Sequence, residues 1–205
     1  MILLSTAYLA PIEQYSLLLS GEQCMFDLNE SYPKQSYRNR CRIMTRDGAV
    51  TLSVPVVKHH FAKTLTRDTE IDYSTPWQKR HWHSLTAAYR NSPYYDHYEH
   101  IFAPFYSRRE RFLADLNEKL MTAVLECMGA SGKALWSYAD DFIPADNPHR
   151  DMRFVISPKP RLTANREPYR GRPYYQVFSD TVPFHPNLSI IDLLFCEGPE
   201  SIDYL

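Results

Sequence analysis

Residues 1–28 read MILLSTAYLAPIEQYSLLLSGEQCMFDL, and this stretch decides the fold. Ile2 to Ala7 is a short apolar run of the kind that forms a buried strand. Pro11 then opens a helix with Ile12, Tyr15, Leu18 and Leu19 at helical spacing, and Gly21 is its natural stop. Cys24 to Leu28 supplies a second apolar strand. Strand, helix and strand in so short a span are most simply joined by a right-handed crossover, which makes the two strands parallel. The expected fold class is therefore α/β, with a small, mostly parallel sheet.

Working outward, Tyr37 to Met44 alternates, breaks at Arg46-Asp47-Gly48 and resumes as Val50 to Val56, a hairpin signature inserted after the second strand. Period-two geometry puts Tyr37, Asn39, Cys41 and Ile43 on one face and Arg38, Arg40 and Arg42 on the other. Thr66 to Asp72 reads as a further extended stretch. A helical block follows: Pro76 to Arg90 with Thr75 as N-cap, a second helix from about Pro93 to Tyr106, and a third from about Arg109 to Met128. The third carries an apolar stripe of Phe112, Leu113, Leu116, Leu120, Val124 and Leu125, with Gly129 as its stop. Trp136 to Ile143 reads as a strand and Asp146 to Tyr174 as a long loop of a kind that is often functional. Tyr175 to Phe178 is a short extended piece. A last helix starts at Pro186 or Asn187, can be capped by Asn187 or Ser189, and ends at Gly198-Pro199.

A chain of 205 residues, 44% of them hydrophobic, suffices for one domain with a sizeable core, and residues 1–205 are read as a single domain. The balance of 23 Lys plus Arg against 24 Asp plus Glu argues against a nucleic-acid binder. No apolar run approaches the roughly 18–20 residues that span a bilayer. The start carries no basic residue before its apolar stretch, so a signal peptide is not expected and the compartment is read as cytoplasmic. Four widely separated cysteines without a CxxC suit free thiols better than a disulfide framework or a zinc site.

The chemistry concentrates in few places. Lys34-Gln-Ser-Tyr37-Arg38-Asn39-Arg40-Cys-Arg42 runs on to Arg46 without a carboxylate. Such crowding needs an anion or a buried acid, and arginine suits bidentate contacts with phosphate or carboxylate. The run is either a phosphate-binding strand and loop or a solvated face balanced by neighbouring acids such as Glu70 or Asp72. On the Pro76 helix, His81 shares a face with Trp77, Leu85 and Tyr89, where it is either a general base or a core-edge histidine. Asp192 lies in an apolar helical stretch, where a lone carboxylate is costly, so it is read either as a structural ion pair with Arg40 or Arg38 or as part of a shared substrate pocket. His59-His60 and His97 with His100 lack the further ligands of known zinc spacings, and metal binding is the weaker reading. No GxGxxG, P-loop, GxSxG or HExxH stretch occurs, so no cofactor is expected.

Taken together, Tyr8-Leu9-x-Pro11, Tyr32-Pro-Lys34-Gln-Ser36-Tyr-Arg38-Asn39-Arg40, Trp77 to Trp82 with Ala88-Tyr89, Pro93-Tyr94 and Asn187-Leu-Ser189-Ile-Ile-Asp192-Leu-Leu-Phe-x-x-Gly198 resemble the WbqC-like family. That family is associated with bacterial surface-polysaccharide (O-antigen) gene clusters. The resemblance implies an acyl or aminoacyl transferase acting on a nucleotide-linked amino sugar, with a non-catalytic nucleotide- or sugar-binding protein as the alternative. Lys34, Tyr37, Arg38, Asn39, Arg40, Trp77, Tyr89 and Asn187 would bind the anionic ligand, a sugar nucleotide for example. His81 would accept a proton from the attacking amine or hydroxyl, and Asp192 would orient that base or the arginines. The resemblance also implies that the sheet is Rossmann-like. Family members often open with His-Gln-Pro-Asn-Tyr-Leu-Pro where this chain has Ser5-Thr6-Ala7-Tyr8-Leu9-Ala10-Pro11, so the first-strand histidine is missing and His81 is the surviving imidazole.

Overall fold

In the computed structural model, which describes residues 1–57, 63–164 and 166–205, β1 (Ile2–Leu4) and β2 (Cys24–Phe26) run parallel and are joined by α1 (Ile12–Leu18). β1 is one of the two inner strands of a four-stranded parallel sheet, flanked by β2 and by β6 (Arg150–Asp151). β5 (Trp136–Tyr138) pairs outside β2. Ile2, Leu3 and Leu4 are sealed from solvent, which is why β1 reads as an unbroken apolar run rather than an alternating one.

β3 (Arg40–Thr45) and β4 (Gly48–Ser53) form the separate antiparallel hairpin, with Thr45 opposite Gly48 across an Arg46-Asp47 turn. The helical block is α2 (Trp77–Tyr89), α3 (Tyr95–Phe102), continued by a 3-10 turn over Ala103–Tyr106, and α4 (Leu113–Cys127). A four-residue α5 (Pro160–Thr163) interrupts the long loop. α6 (Ile190–Glu197) starts at Ser189, whose hydroxyl accepts from the Ile191 amide, and passes into a 3-10 stretch over Gly198–Tyr204. One buried apolar cluster draws on β1, α1, the hairpin, α2, α3, α4 and α6 together. Among the described residues no helix is long and apolar enough to cross a membrane.

Three expectations need correction. Residues 66–72 form no strand; they make only isolated bridges, Val56 with Ile71 and Glu70 with Phe112, and the second of these delays the start of α4 to Leu113. Residues 175–178 pair with nothing as a strand. Tyr37–Asn39 is a 3-10 turn and not part of β3, so Arg38 leaves the row of Arg40 and Arg42 and turns inward.

Candidate functional site

In an open parallel sheet ligands ordinarily sit beyond the carboxyl ends of the strands. Here that position is filled by the protein's own charges. Arg38 donates from Nε to Glu30 Oε1 at 2.6 Å and from Nη2 to the Ser5 hydroxyl at 2.5 Å. Ser5 follows β1, and its hydroxyl donates onward to the Arg153 carbonyl at 3.1 Å. Arg153, just past β6, reaches Asp27 Oδ2 at 2.6 Å and Asp151 Oδ2 at 2.6 Å. Arg38, Glu30, Asp27 and the Arg153 side chain are all buried. Burial raises the Glu30 carboxyl, and the adjoining Arg38 offsets part of that rise. Arg38 therefore has a structural counter-ion, Glu30, eight residues upstream, in place of the anticipated Glu70, Asp72 or Asp192.

Two other cations of the basic run, Lys34 and Arg40, face a cleft of about 770 Å³ between the hairpin and the segments on either side of residues 58–62. Tyr32, Lys34, Gln35, Asn39, Arg40 and Lys63 line it, with Asp72 at its edge. Among the described residues Lys34, Arg40 and Lys63 make no ion pair. Asn39 donates to the Val54 carbonyl at 2.8 Å, but its Oδ1 is buried without a partner among the described residues, and so is Nε of Arg40. Buried polar atoms are normally satisfied, so two orphans in one cleft wall mark a place where a ligand's own donors and acceptors would complete the set. Gln35 holds φ at 58°, a left-handed conformation uncommon for a residue with a Cβ.

His81 stands behind this wall. Its Nδ1 lies 3.0 Å from the Tyr8 hydroxyl, which lies 2.9 Å from the Tyr106 hydroxyl, while the backbone of Ser53, a cleft residue, takes the other ring hydrogen. Both nitrogens are occupied, and burial holds the imidazole neutral with its pKa lowered to about 4. Trp77 packs edge-on against His81, its ring centroid 5.1 Å away. Tyr89 is sealed against Phe195, with its hydroxyl accepting from the Met44 amide at 3.3 Å. Trp77 and Tyr89 belong to the core beneath the cleft.

Asp192 is wholly buried in the first turn of α6, and neither carboxylate oxygen has a hydrogen-bond partner among the described residues. The pairing with Arg38 or Arg40 does not form; burial raises this carboxyl to about 8 instead. Tyr37 and Asn187 lie in a different pocket, with Arg42 and His185. Of the residues singled out by sequence, the structure thus brings Lys34, Asn39 and Arg40 together in the cleft, Tyr37 and Asn187 in another pocket, Trp77 and His81 into contact in the core, and leaves Arg38, Tyr89 and Asp192 in separate buried places. Sequence reasoning missed Lys63, which stands outside the basic run, and Glu30, whose position as the last carboxylate before that run was an available signal. His97 and His100 gather no metal-ligand group among the described residues, and His59-His60 lie outside them.

No solved structure matches this chain. The chain is 31% identical over 199 residues to the uncharacterized protein Rv1507c of Mycobacterium tuberculosis, a match covering 85% of this chain and 83% of that protein. The profile of the WbqC-like protein family matches residues 7–157, a span that takes in the cleft, the His81 network and the buried charges beyond the sheet. With that match across most of its length, the chain belongs to the WbqC-like protein family.

Proposed function

We propose that this protein binds an anionic, phosphate-bearing small molecule such as a sugar nucleotide, and acts as an acyl or aminoacyl transferase in bacterial surface-polysaccharide precursor synthesis. The observation that carries the binding half is the cleft: Lys34, Arg40 and Lys63 have no paired acid among the described residues, beside an Asn39 Oδ1 with no partner among them. Guanidinium and ammonium groups recognise phosphate, and the amide oxygen would accept from a sugar hydroxyl or a base amine. The transfer half rests on the family resemblance. In it an amine attacks the acyl carbon, the leaving group departs with the bonding electrons and the amine gives up a proton. His81 can take that proton only on Nδ1, after Tyr8 releases it, because the nitrogen that donates to Ser53 already carries its hydrogen. That occupied imidazole, with the sealed Asp192, favours a second reading in which the cleft binds without turnover.

Titration calorimetry with nucleoside-diphosphate sugars tests the first half. Saturable binding is expected in the wild type, weakened about ten-fold or more in Lys34→Ala/Arg40→Ala. Equal binding by both proteins would remove the cleft from consideration. Incubating a bound nucleotide-linked amino sugar with acyl donors, followed by mass spectrometry, separates transferase from binding protein: an acylated sugar supports the first, unchanged sugar the second.

A further inference from the structure

A second pocket lies on the same face of the hairpin, two residues along β3. Arg40 and Arg42 share the strand face opposite Cys41 and Ile43, with Cα atoms about 7 Å apart by strand geometry. Arg40 lines the cleft already described. Arg42 lines a separate pocket of about 260 Å³ with Glu13, Tyr37, Arg166, His185 and Asn187. Glu13 follows β1, and Val155 and Ser157, also in the lining, follow β6, so the pocket lies past the carboxyl ends of those strands.

Its charges are unevenly satisfied. Glu13 is fully engaged: Arg166 donates to Oε1, Asn187 Nδ2 donates to Oε2 at 3.0 Å, and the Glu13 amide donates back to Asn187 Oδ1 at 3.1 Å. Arg42 has no carboxylate among the described residues; its polar neighbours are His185 Nε2 at 3.2 Å and the Tyr37 hydroxyl. A guanidinium only donates, so His185 Nε2 must accept, which makes the ring neutral and puts its hydrogen on Nδ1. Burial and the neighbouring Arg42 both lower the His185 pKa, in agreement with a neutral ring. That Nδ1–H is itself buried without a partner among the described residues. This side of the pocket thus has donors in excess and lacks an acceptor. The volume is below that of drug-sized ligand sites, room for roughly nine waters' worth of ligand, and Val155, Pro168 and Tyr169 give it an apolar flank.

We infer that this pocket is a ligand site for a small carboxylate-bearing molecule, received by Arg42 with Tyr37 and His185 beside it and its short hydrocarbon part against the apolar flank. The guanidinium fork matches a carboxylate in two parallel hydrogen bonds. The inference stands apart from the cleft; if both sites fill, two ligands lie side by side along β3, the arrangement that a two-substrate reaction requires.

The test is NMR titration of the full chain at constant ionic strength with acetate, butyrate and inorganic phosphate, in the wild type, Arg42→Met, Arg42→Lys and Lys34→Ala/Arg40→Ala. Saturable shifts with acetate and butyrate are expected, weakened about ten-fold or more in Arg42→Met and unchanged in the cleft double variant. Arg42→Lys keeps the charge and loses the fork; it should bind several-fold more weakly, and it decides the matter if Arg42→Met does not fold. No saturable carboxylate response, an equal response in the Arg42 variants, or a response to phosphate alone would each overturn the assignment. Loss of sugar-nucleotide binding together with intact butyrate binding in Lys34→Ala/Arg40→Ala would tell the two sites apart.

Discussion

At neutral pH, two buried side chains that could ionise are held largely uncharged, and they affect stability in opposite senses. His81 titrates at about 4 in the folded chain against an ordinary 6.5. Between those values the unfolded chain binds the extra proton, so stability rises with pH, by about 1.4 kcal/mol per unit. Asp192 titrates at about 8 against an ordinary 3.8, so the folded chain holds the extra proton across that window and stability falls with pH at the same rate. From pH 4 to 6.5 the two slopes offset each other, and from 6.5 to 8 the Asp192 decline stands alone. Urea unfolding as a function of pH should show that profile, and Asp192→Asn should replace it with a rise to pH 6.5 and a plateau. The same decline in Asp192→Asn would mean that another group causes it. Arg38 is the other decisive residue. Arg38→Ala leaves Glu30 buried and unpaired, and the expected loss is about 3–5 kcal/mol of stability. Arg38→Met with Glu30→Gln should recover much of it in denaturant unfolding, because no charge is then left stranded.

At the scale of elements, α3 and α6 are joined through a glycine. Gly198, at φ 58°, ends α6 against the Tyr94 ring, and a Cβ there would sit 2.4 Å from Tyr94 Cε1. Gly198→Ala should therefore cost about 2–4 kcal/mol from backbone strain and overpacking, read as a lowered Tm. That stop was legible in the sequence, as were β1, α1 and β2, since an apolar run, a helix-opening proline and a closing glycine are local signals. β6 was not legible. Arg150–Asp151 is two polar residues long, has no periodicity to detect, and is a strand only because Leu3 and its neighbours supply the pairing partner. The row of arginines was misread for a related reason. The alternation that marks a strand continues through residues 37–39, but the chain there turns, and the Tyr8 amide takes the Tyr37 carbonyl that a strand would have used for its ladder. Of the candidate site, the basic run announced itself; its division among a buried ion pair, a cleft and a second pocket depends on contacts distant in sequence.

For the whole molecule, Cys24, Cys41 and Cys196 are buried and Cys127 is half-buried, and all four thiols are free. Reductant should leave the Tm unchanged. In the native state a thiol reagent should modify Cys127 first, and slowly, because burial and Glu126 raise its pKa to about 11. Rapid labelling of several thiols would indicate that the core opens readily.

The buried charges beyond the sheet also set an order in time. Asp27 finds Arg153 across 126 residues, and β1 gains its second neighbour only when residues 150–151 arrive. On a ribosome adding roughly 5–20 residues per second, Asp27 waits about 6–25 seconds for its counter-ion. Through that interval the first strand–helix–strand unit exists with one edge of β1 bare, a natural client for a chaperone, and a stall in translation ahead of Arg150 would prolong the exposure.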